Sequence, residues 1–316
     1  MFEDLGSVLR NLYSDNPQRE PVRSARISGG GNSAPPAKTM IIAIVNQKGG
    51  CGKTTTCINL AAGLAKRGFK VLMIDLDPQS HASLGINVDV HNLNTSIYDV
   101  LVKSVDLSSV IVPTYLNGLD LAPATSLLTG AQLEIADLLG REGLLRTSIW
   151  RMLNTHVRHY DYILMDSSPS LNLLTINGLT AAQSVLIPIQ AHYFSLEGMR
   201  ELFATLKIVK ERINSDLEVL GILPTIFDGR TKMSRDMLMQ LKDYFKDKVL
   251  RSLIRMNITL AEASAHGKSI FDFDTACNGA KDYRLLTDEI VQITRPELAV
   301  VDETTVAEHQ DNPAVQ

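Results

Sequence analysis

The sequence has little cysteine, no long apolar run and no large excess of either charge. Its 316 residues include three cysteines with no Cys-x-x-Cys pair, which excludes a disulfide framework and an all-cysteine zinc site. No apolar run reaches the roughly 18 residues of a transmembrane helix, and no signal-peptide pattern opens the chain. The formal net charge is -4, so nucleic-acid binding would need a local basic patch. We therefore expect a globular protein of the reducing cytoplasm.

Composition divides the chain into three zones. Residues 1–39 begin with apolar side chains at helical spacing and continue through glycine and proline, which predicts a short amphipathic helix and a flexible linker. Residues 40–295 form the dense body. Residues 296–316 contain five acidic side chains and no lysine or arginine, which favours a disordered acidic tail.

Within the body, short β-branched runs alternate with helical stretches. The runs are nearly all apolar, which is typical of strands that are buried on both faces of a parallel sheet. This order predicts an α/β fold: a doubly wound, mostly parallel sheet with helices on both faces, and ligands at the carboxyl ends of the strands. The predicted strands are 41–45, 71–75, 162–166, 185–189 and 219–226, and the clearest helices are 54–67 and 196–212.

A glycine-rich loop joins the first predicted strand to the first predicted helix. Glycine lets the backbone approach an anion, and the following helix offers free N–H groups. Lys53 can neutralise the β- and γ-phosphates of a nucleotide, and the Thr54 hydroxyl is placed to ligate Mg2+. Gln47 stands where the usual phosphate-loop pattern has glycine, and a chance glycine-rich turn is the alternative. The predicted loop residues are Lys48, Gly49, Gly50, Cys51, Gly52, Lys53, Thr54 and Thr55.

Lys48 is a second lysine in this loop, five positions before Lys53. One nucleotide in one subunit hardly needs both lysines. We therefore interpret Lys48 as a residue that reaches a phosphate bound by a second subunit. A solvated loop lysine is the alternative.

The loop resembles the deviant Walker A loop of the ParA/MinD family of P-loop ATPases, and the chain looks most similar to the ParA/Soj branch. The resemblance implies the P-loop NTPase fold, ATP and Mg2+ as cofactors, and an ATP-dependent homodimer in which Lys48 crosses to the partner's phosphates. It covers residues 40–292 and is carried by the segments 48–55, 75–79, 161–170 and 188–198.

Aspartates follow the predicted strands at the edge where a magnesium nucleotide would lie. Asp166 closes the strand 162–166, where a carboxylate can hold a Mg2+ water and sense the γ-phosphate. The resemblance implies that Asp77 orients the attacking water, that Asp75 supports the magnesium shell and that Thr225 contacts adenine. An aspartate that only caps a strand end is the alternative. The predictions are thus Lys48, Lys53 and Asp77 for catalysis, and Thr54, Asp75 and Asp166 for Mg2+, partly through water.

Lysines and arginines cluster between residues 230 and 255, where the resemblance implies binding of DNA without sequence preference. Lys and Arg suffice for such contacts because they go to phosphates. The predicted DNA residues are Arg230, Arg251 and Arg255, while Thr259 stands where the family has a further arginine. Interleaved aspartates leave a solvated helix face as the alternative.

Together these patterns predict a Mg-ATP-dependent ATPase that dimerises, binds nonspecific DNA and positions a chromosome, plasmid or large cargo. A ParB-like or cargo adaptor protein would stimulate hydrolysis, and the location would be cytoplasmic, on the nucleoid. A MinD-like membrane-associated regulator and an ATP-dependent biosynthetic enzyme are the alternatives. The acidic end of the chain argues against stable membrane association, because anionic lipid would repel it.

Overall fold

The computed structural model describes residues 39–155, 158–191 and 196–299. They form one seven-stranded sheet of order β3-β4-β2-β5-β1-β6-β7. All neighbouring strands run parallel except β3 and β4, which pair antiparallel at one edge. The strands are β1 Met40–Ile44, β2 Val71–Asp75, β3 Val112–Pro113, β4 Leu119–Ala122, β5 Tyr162–Asp166, β6 Ser184–Gln190 and β7 Glu218–Thr225.

Helices cover both faces of the sheet. Short 3-10 turns at Arg141–Gly143 and Lys246–Lys248 complete the described elements. The helices are α1 Lys53–Lys66, α2 His81–Leu84, α3 Ile97–Val102, α4 Leu107–Val110, α5 Leu128–Glu134, α6 Leu144–Asn154, α7 Leu173–Ala181, α8 Leu196–Arg212, α9 Lys232–Phe245, α10 Ile258–Ala265, α11 Ile270–Phe273, α12 Asn278–Thr294 and α13 Pro296–Ala299.

The core has two layers because successive side chains of a strand point to opposite faces. In β2, Leu72 and Ile74 pack into the layer beneath α3 to α9, whereas Val71 and Met73 pack into the layer beneath α1 and α12. The strand β2 is therefore buried along its whole length. This explains why the central strands are nearly all apolar.

The structure confirms the predicted fold class. Each predicted strand and both predicted helices are present, with ends within one residue of the prediction. The hairpin of β3 and β4 was not predicted, because strands this short carry little periodicity. The Asn117-Gly118 pair before β4, with Gly118 at a φ of 86°, is the turn signal that marks it.

The ends of the chain were predicted as an amphipathic helix, a linker and an acidic tail. Residues 1–38 and 300–316 lie outside the described residues, as do residues 192–195 of the segment 188–198. The first four residues of the predicted tail form the helical turn α13. No helix in the described residues is long and apolar enough to cross a membrane.

Candidate nucleotide-binding site

The glycine-rich loop leaves β1 at the carboxyl end of the sheet and enters α1. Gly50 and Gly52 have φ angles of 71° and 88°, a left-handed region that other residues enter only at a cost. Gly52 is the N-cap of α1, and no side chain caps the first N–H groups of that helix. These N–H groups are therefore available to an anion.

Lys53 is the first residue of α1, and only 6% of its surface is exposed. Its Nζ donates a hydrogen bond to the main-chain oxygen of Lys48 at 3.1 Å, so the loop folds around its own lysine. Lys48 itself is half-buried, and partial burial lowers the pKa of its ammonium group. Its reach toward a second subunit stays a prediction.

Hydrogen bonds to the neighbouring strands β6 and β7 hold the loop in place. Thr225 ends β7, donates its hydroxyl to the loop and lines the cavity described below, and its predicted contact with adenine stays a prediction. The structure therefore gives Thr225 a loop-anchoring contact that the sequence did not predict. The anchoring bonds run from Asn46 Nδ2 to Pro188 O (2.6 Å), from Gln190 Nε2 to Gly50 O (3.0 Å) and from Thr225 Oγ1 to Cys51 O (2.8 Å).

Asp166 and Thr54 meet where β5 ends beside the start of α1. Thr54 Oγ1 donates to Asp166 Oδ2 at 2.7 Å. Asp166 is fully buried, and burial together with the nearby carboxylate of Asp75 raises its pKa, against the Thr54 hydrogen bond and the charge of Lys53. Within the described part of the chain, Asp166 Oδ1 is buried with no hydrogen-bond partner. An oxygen pair of this kind fits Mg2+, which prefers oxygen ligands and retains water.

Asp75 and Asp77 follow β2 at the same edge. Asp75 accepts hydrogen bonds from Asp77 N (3.0 Å), from Ser83 N (2.9 Å) and from Ser83 Oγ (2.7 Å). Burial raises the pKa of Asp75 to about 6, while these hydrogen bonds oppose the rise. Asp75 therefore holds the loop that carries Asp77, and its contacts give no direct support to the predicted place in the magnesium shell.

Asp77 lies on this loop, and only 7% of its surface is exposed. Its Oδ1 accepts a hydrogen bond from Gln79 N at 2.9 Å, which fixes the carboxylate at the carboxyl end of β2. That edge also carries Asp166, since Asp75 pairs with Asp166 in the ladder of β2 and β5. The structure thus brings Asp77 to the predicted side of the sheet, and its role toward water stays a prediction.

A cavity of about 520 Å³ opens beside the loop. One wall consists of the loop and the start of α1, and it includes Lys53 and Thr54. The other lining residues lie far along the chain without a local motif, and the sequence assigned only Thr225 among them to the nucleotide. These residues are His81, Thr225, Ile226, Ile254, Arg255, Met256, Asn257, Leu260 and Ala261. Most of the side chains from Ile226 onward are apolar and suit an aromatic base, while the loop suits phosphates.

The three predicted DNA arginines occupy different settings. The side chains of Arg230 and Arg251 are 88% and 82% exposed, and they pair with Asp228 at 2.8 Å and with Glu289 at 3.6 Å. Arg255 is less exposed, pairs with the buried Asp282 and lines the cavity. Arg255 therefore differs from the other two in its contacts, and DNA binding by all three arginines stays a prediction.

Comparisons with known proteins agree with this geometry. An AAA domain family model matches residues 39–219. The chain is 43% identical to sporulation initiation inhibitor protein Soj of Bacillus subtilis, over 79% of this chain and 97% of that protein. It is 40% identical to chromosome partitioning protein ParA of Myxococcus xanthus, over 81% of this chain and 89% of that protein.

A solved structure shares the fold. Cobyrinic acid a,c-diamide synthase from Mycobacterium smegmatis, with a bound ATP analogue and magnesium, superposes with a TM-score of 0.70. It is 33% identical, over 81% of this chain and 95% of that chain. The family match covers more than half of the chain, and the relatives align over most of their own lengths. The chain therefore belongs to the ParA/Soj family of P-loop partition ATPases.

Proposed function

We propose that this protein is a Mg-ATP-dependent ATPase that dimerises on ATP, binds DNA without sequence preference and positions a chromosome, a plasmid or a large cargo. One observation carries the proposal. Lys53, Thr54 and Asp166 converge at the carboxyl ends of β1 and β5, beside uncapped N–H groups and a cavity of suitable size. The names of the Soj and ParA relatives support the partition role.

The proposed chemistry is attack by water on the γ-phosphate. Lys53 and the N–H groups of α1 bind the phosphates and stabilise developing negative charge. Thr54 and Asp166 would hold Mg2+, which neutralises phosphate charge when bound. Asp77 orients the water, and Lys48 of one subunit reaches the nucleotide of the other.

The proposed DNA surface contains Arg230 and Arg251. Both guanidinium groups are exposed, and each pairs with a carboxylate that a DNA phosphate can replace. Two subunits joined by ATP present two such surfaces to one duplex, which raises apparent affinity through effective concentration. We propose a nucleoid location in the cytoplasm and a ParB-like or cargo adaptor partner on the same basis.

Sequence identity favours a partition ATPase over an ATP-dependent biosynthetic enzyme. Partition relatives reach 43% over nearly their whole length, while the cobyrinic acid synthase structure reaches 33%. A liposome-flotation assay with ATP separates the MinD-like reading, since a membrane regulator floats with the lipid and a DNA-bound ATPase does not.

The experiment that tests the function is DNA binding with and without Mg-ATP over a series of salt concentrations. We expect binding only with ATP, a steep fall with salt and little difference between sequences of equal length. ADP is the control nucleotide, because it fills the same loop without the γ-phosphate. Equal DNA affinity with ATP, with ADP and without nucleotide would contradict the proposal.

A further inference from the structure

Arg255 makes the most extensively hydrogen-bonded ion pair beside the cavity. Its Nε lies 3.0 Å from both carboxylate oxygens of Asp282, and its main-chain N donates to Asp282 Oδ2 at 3.0 Å. The side chain of Asp282 is only 4% exposed. A bidentate pair with a buried carboxylate fixes both partners, unlike an exposed pair.

The residues on either side of Arg255 are joined to β7 like a short extra strand. Ile254 N donates to Pro224 O at 2.9 Å, Phe227 N to Ile254 O at 3.0 Å, and Met256 N to Phe227 O at 3.0 Å. Ile254 and Met256 both line the cavity. The segment 254–256 therefore supplies two apolar side chains to the cavity that the phosphate loop also lines.

Asp282 is in turn fixed relative to the phosphate loop. It lies on α12, where the next residue, Tyr283, shares a hydrogen bond of 3.1 Å with Thr56 of α1. The helix α1 begins with Lys53 and Thr54. A continuous chain of contacts thus runs from the loop through α1 and α12 to Arg255.

We propose that Arg255 is a positioning residue for the base of the nucleotide: through Asp282 it holds Ile254 and Met256 at a set distance from the phosphate loop. The inference rests on the proposed function, because it presumes that a nucleotide fills the cavity. Arg255 then sets affinity for the base but not for the phosphates. It is accordingly no part of the DNA surface.

The test compares two ligands by titration calorimetry: Mg-ATP, which has a base, and Mg-tripolyphosphate, which has none. We expect Arg255→Ala to weaken ATP binding about tenfold, because Ile254 and Met256 lose their fixed position beside the base. Binding of tripolyphosphate should stay unchanged, because the phosphate loop is not altered. Arg255→Lys restores part of the affinity, because a lysine pairs with Asp282 through a single point charge. Arg67→Ala is the matched control, since Arg67 also pairs with an aspartate of α12, Asp288, but does not line the cavity, so both affinities should stay unchanged.

A second variant distinguishes loss of the ion pair from a folding defect. Asp282→Asn weakens the same pair by changing its other member. The double variant Arg255→Ala, Asp282→Asn should lose no more ATP affinity than either single variant, because the pair can be lost only once. Unchanged ATP affinity in Arg255→Ala overturns the inference, as does an equal loss for both ligands. A loss of DNA affinity at saturating ATP with normal ATP affinity overturns it also, in favour of a DNA contact. Failure of the wild-type protein to bind either ligand overturns the proposed function as well, so the two failures are distinguishable.

Discussion

The carboxyl edge of the sheet and the arginine surface around Arg230 hold their charges in opposite ways. At the sheet edge, Lys53 is 6% exposed and Asp166 is fully buried. At the surface, the Arg230 side chain is 88% exposed and pairs with Asp228, two residues away. That arginine holds the pKa of Asp228 well below its usual range.

The difference shows what each region can do. A buried charge costs free energy unless partners satisfy it, so the positions of Lys53 and Asp166 are strict and suit one ligand geometry. An exposed ion pair contributes little to stability, so Arg230 can exchange a carboxylate for a phosphate at little cost. The first region suits recognition of one small molecule, and the second suits weak, sequence-independent binding of a polyanion.

The largest expected effect is at the buried lysine. Lys53→Ala should weaken Mg-ATP binding by about a hundredfold or more, because charge-assisted hydrogen bonds contribute roughly 1.5–3 kcal/mol each. Titration calorimetry measures the loss. Lys66→Ala is the control on the same helix, since Lys66 forms a surface pair with Asp272. Unchanged ATP affinity in Lys53→Ala would refute the phosphate-loop assignment.

Lys48 should separate nucleotide binding from assembly. Lys48→Ala is expected to bind Mg-ATP within about threefold of wild type, since its predicted target is the nucleotide of the other subunit. Dimerisation or hydrolysis should be lost, which sedimentation and phosphate release measure. If binding and assembly fall together, Lys48 acts within its own subunit.

At the exposed surface, Arg230→Glu should remove ATP-dependent DNA binding, because it replaces a phosphate-binding cation with an anion. Basal ATP hydrolysis should persist, because no phosphate-loop group is touched. Lys103→Glu changes a lysine to glutamate directly after α3, where Lys103 pairs with Asp99 and is not part of the proposed DNA surface. Filter binding compares the DNA affinity of the two variants. An equal loss in both would show that the change in net charge, rather than a contact at Arg230, causes the loss. Normal DNA binding in an Arg230→Glu, Arg251→Glu double variant would show that DNA binds elsewhere.

The smallest effect is expected from adding a charge. Thr259→Arg should strengthen ATP-dependent DNA binding about two- to fivefold, the range of one exposed charge contact. The same filter-binding assay measures it, with Thr259→Gln as a control of similar length without charge. Equal affinities for the two variants would exclude a phosphate contact at this position.

The sequence predicted the features that depend on neighbouring residues or on strand ends. The loop from Lys48 to Thr55 is continuous, and Asp166 closes an apolar strand, so both could be recognised before the structure. Contacts between residues that lie far apart in the sequence could not be predicted. The pair of Arg255 with Asp282 spans 27 positions, and no motif links the two. Arg255 was grouped with the DNA residues by its charge and its nearness in sequence to Thr259, and only the fold shows that it pairs with Asp282.

Asp75 shows the same limit at shorter range. Its position at the end of β2 was predicted, but its partner Ser83 lies beyond a turn in α2. The side chain of Ser83 also accepts a hydrogen bond from Ala124 N, just after β4. Only the fold shows that Asp75 holds this junction together.

The central claim is that ATP joins two subunits and that hydrolysis releases them. Light scattering of Asp77→Ala with and without Mg-ATP tests it most directly, because loss of the water-orienting carboxylate should leave ATP intact. We expect a monomer without nucleotide and a stable particle of twice that mass with ATP. An Asp77→Ala protein that binds Mg-ATP and stays monomeric would contradict the account.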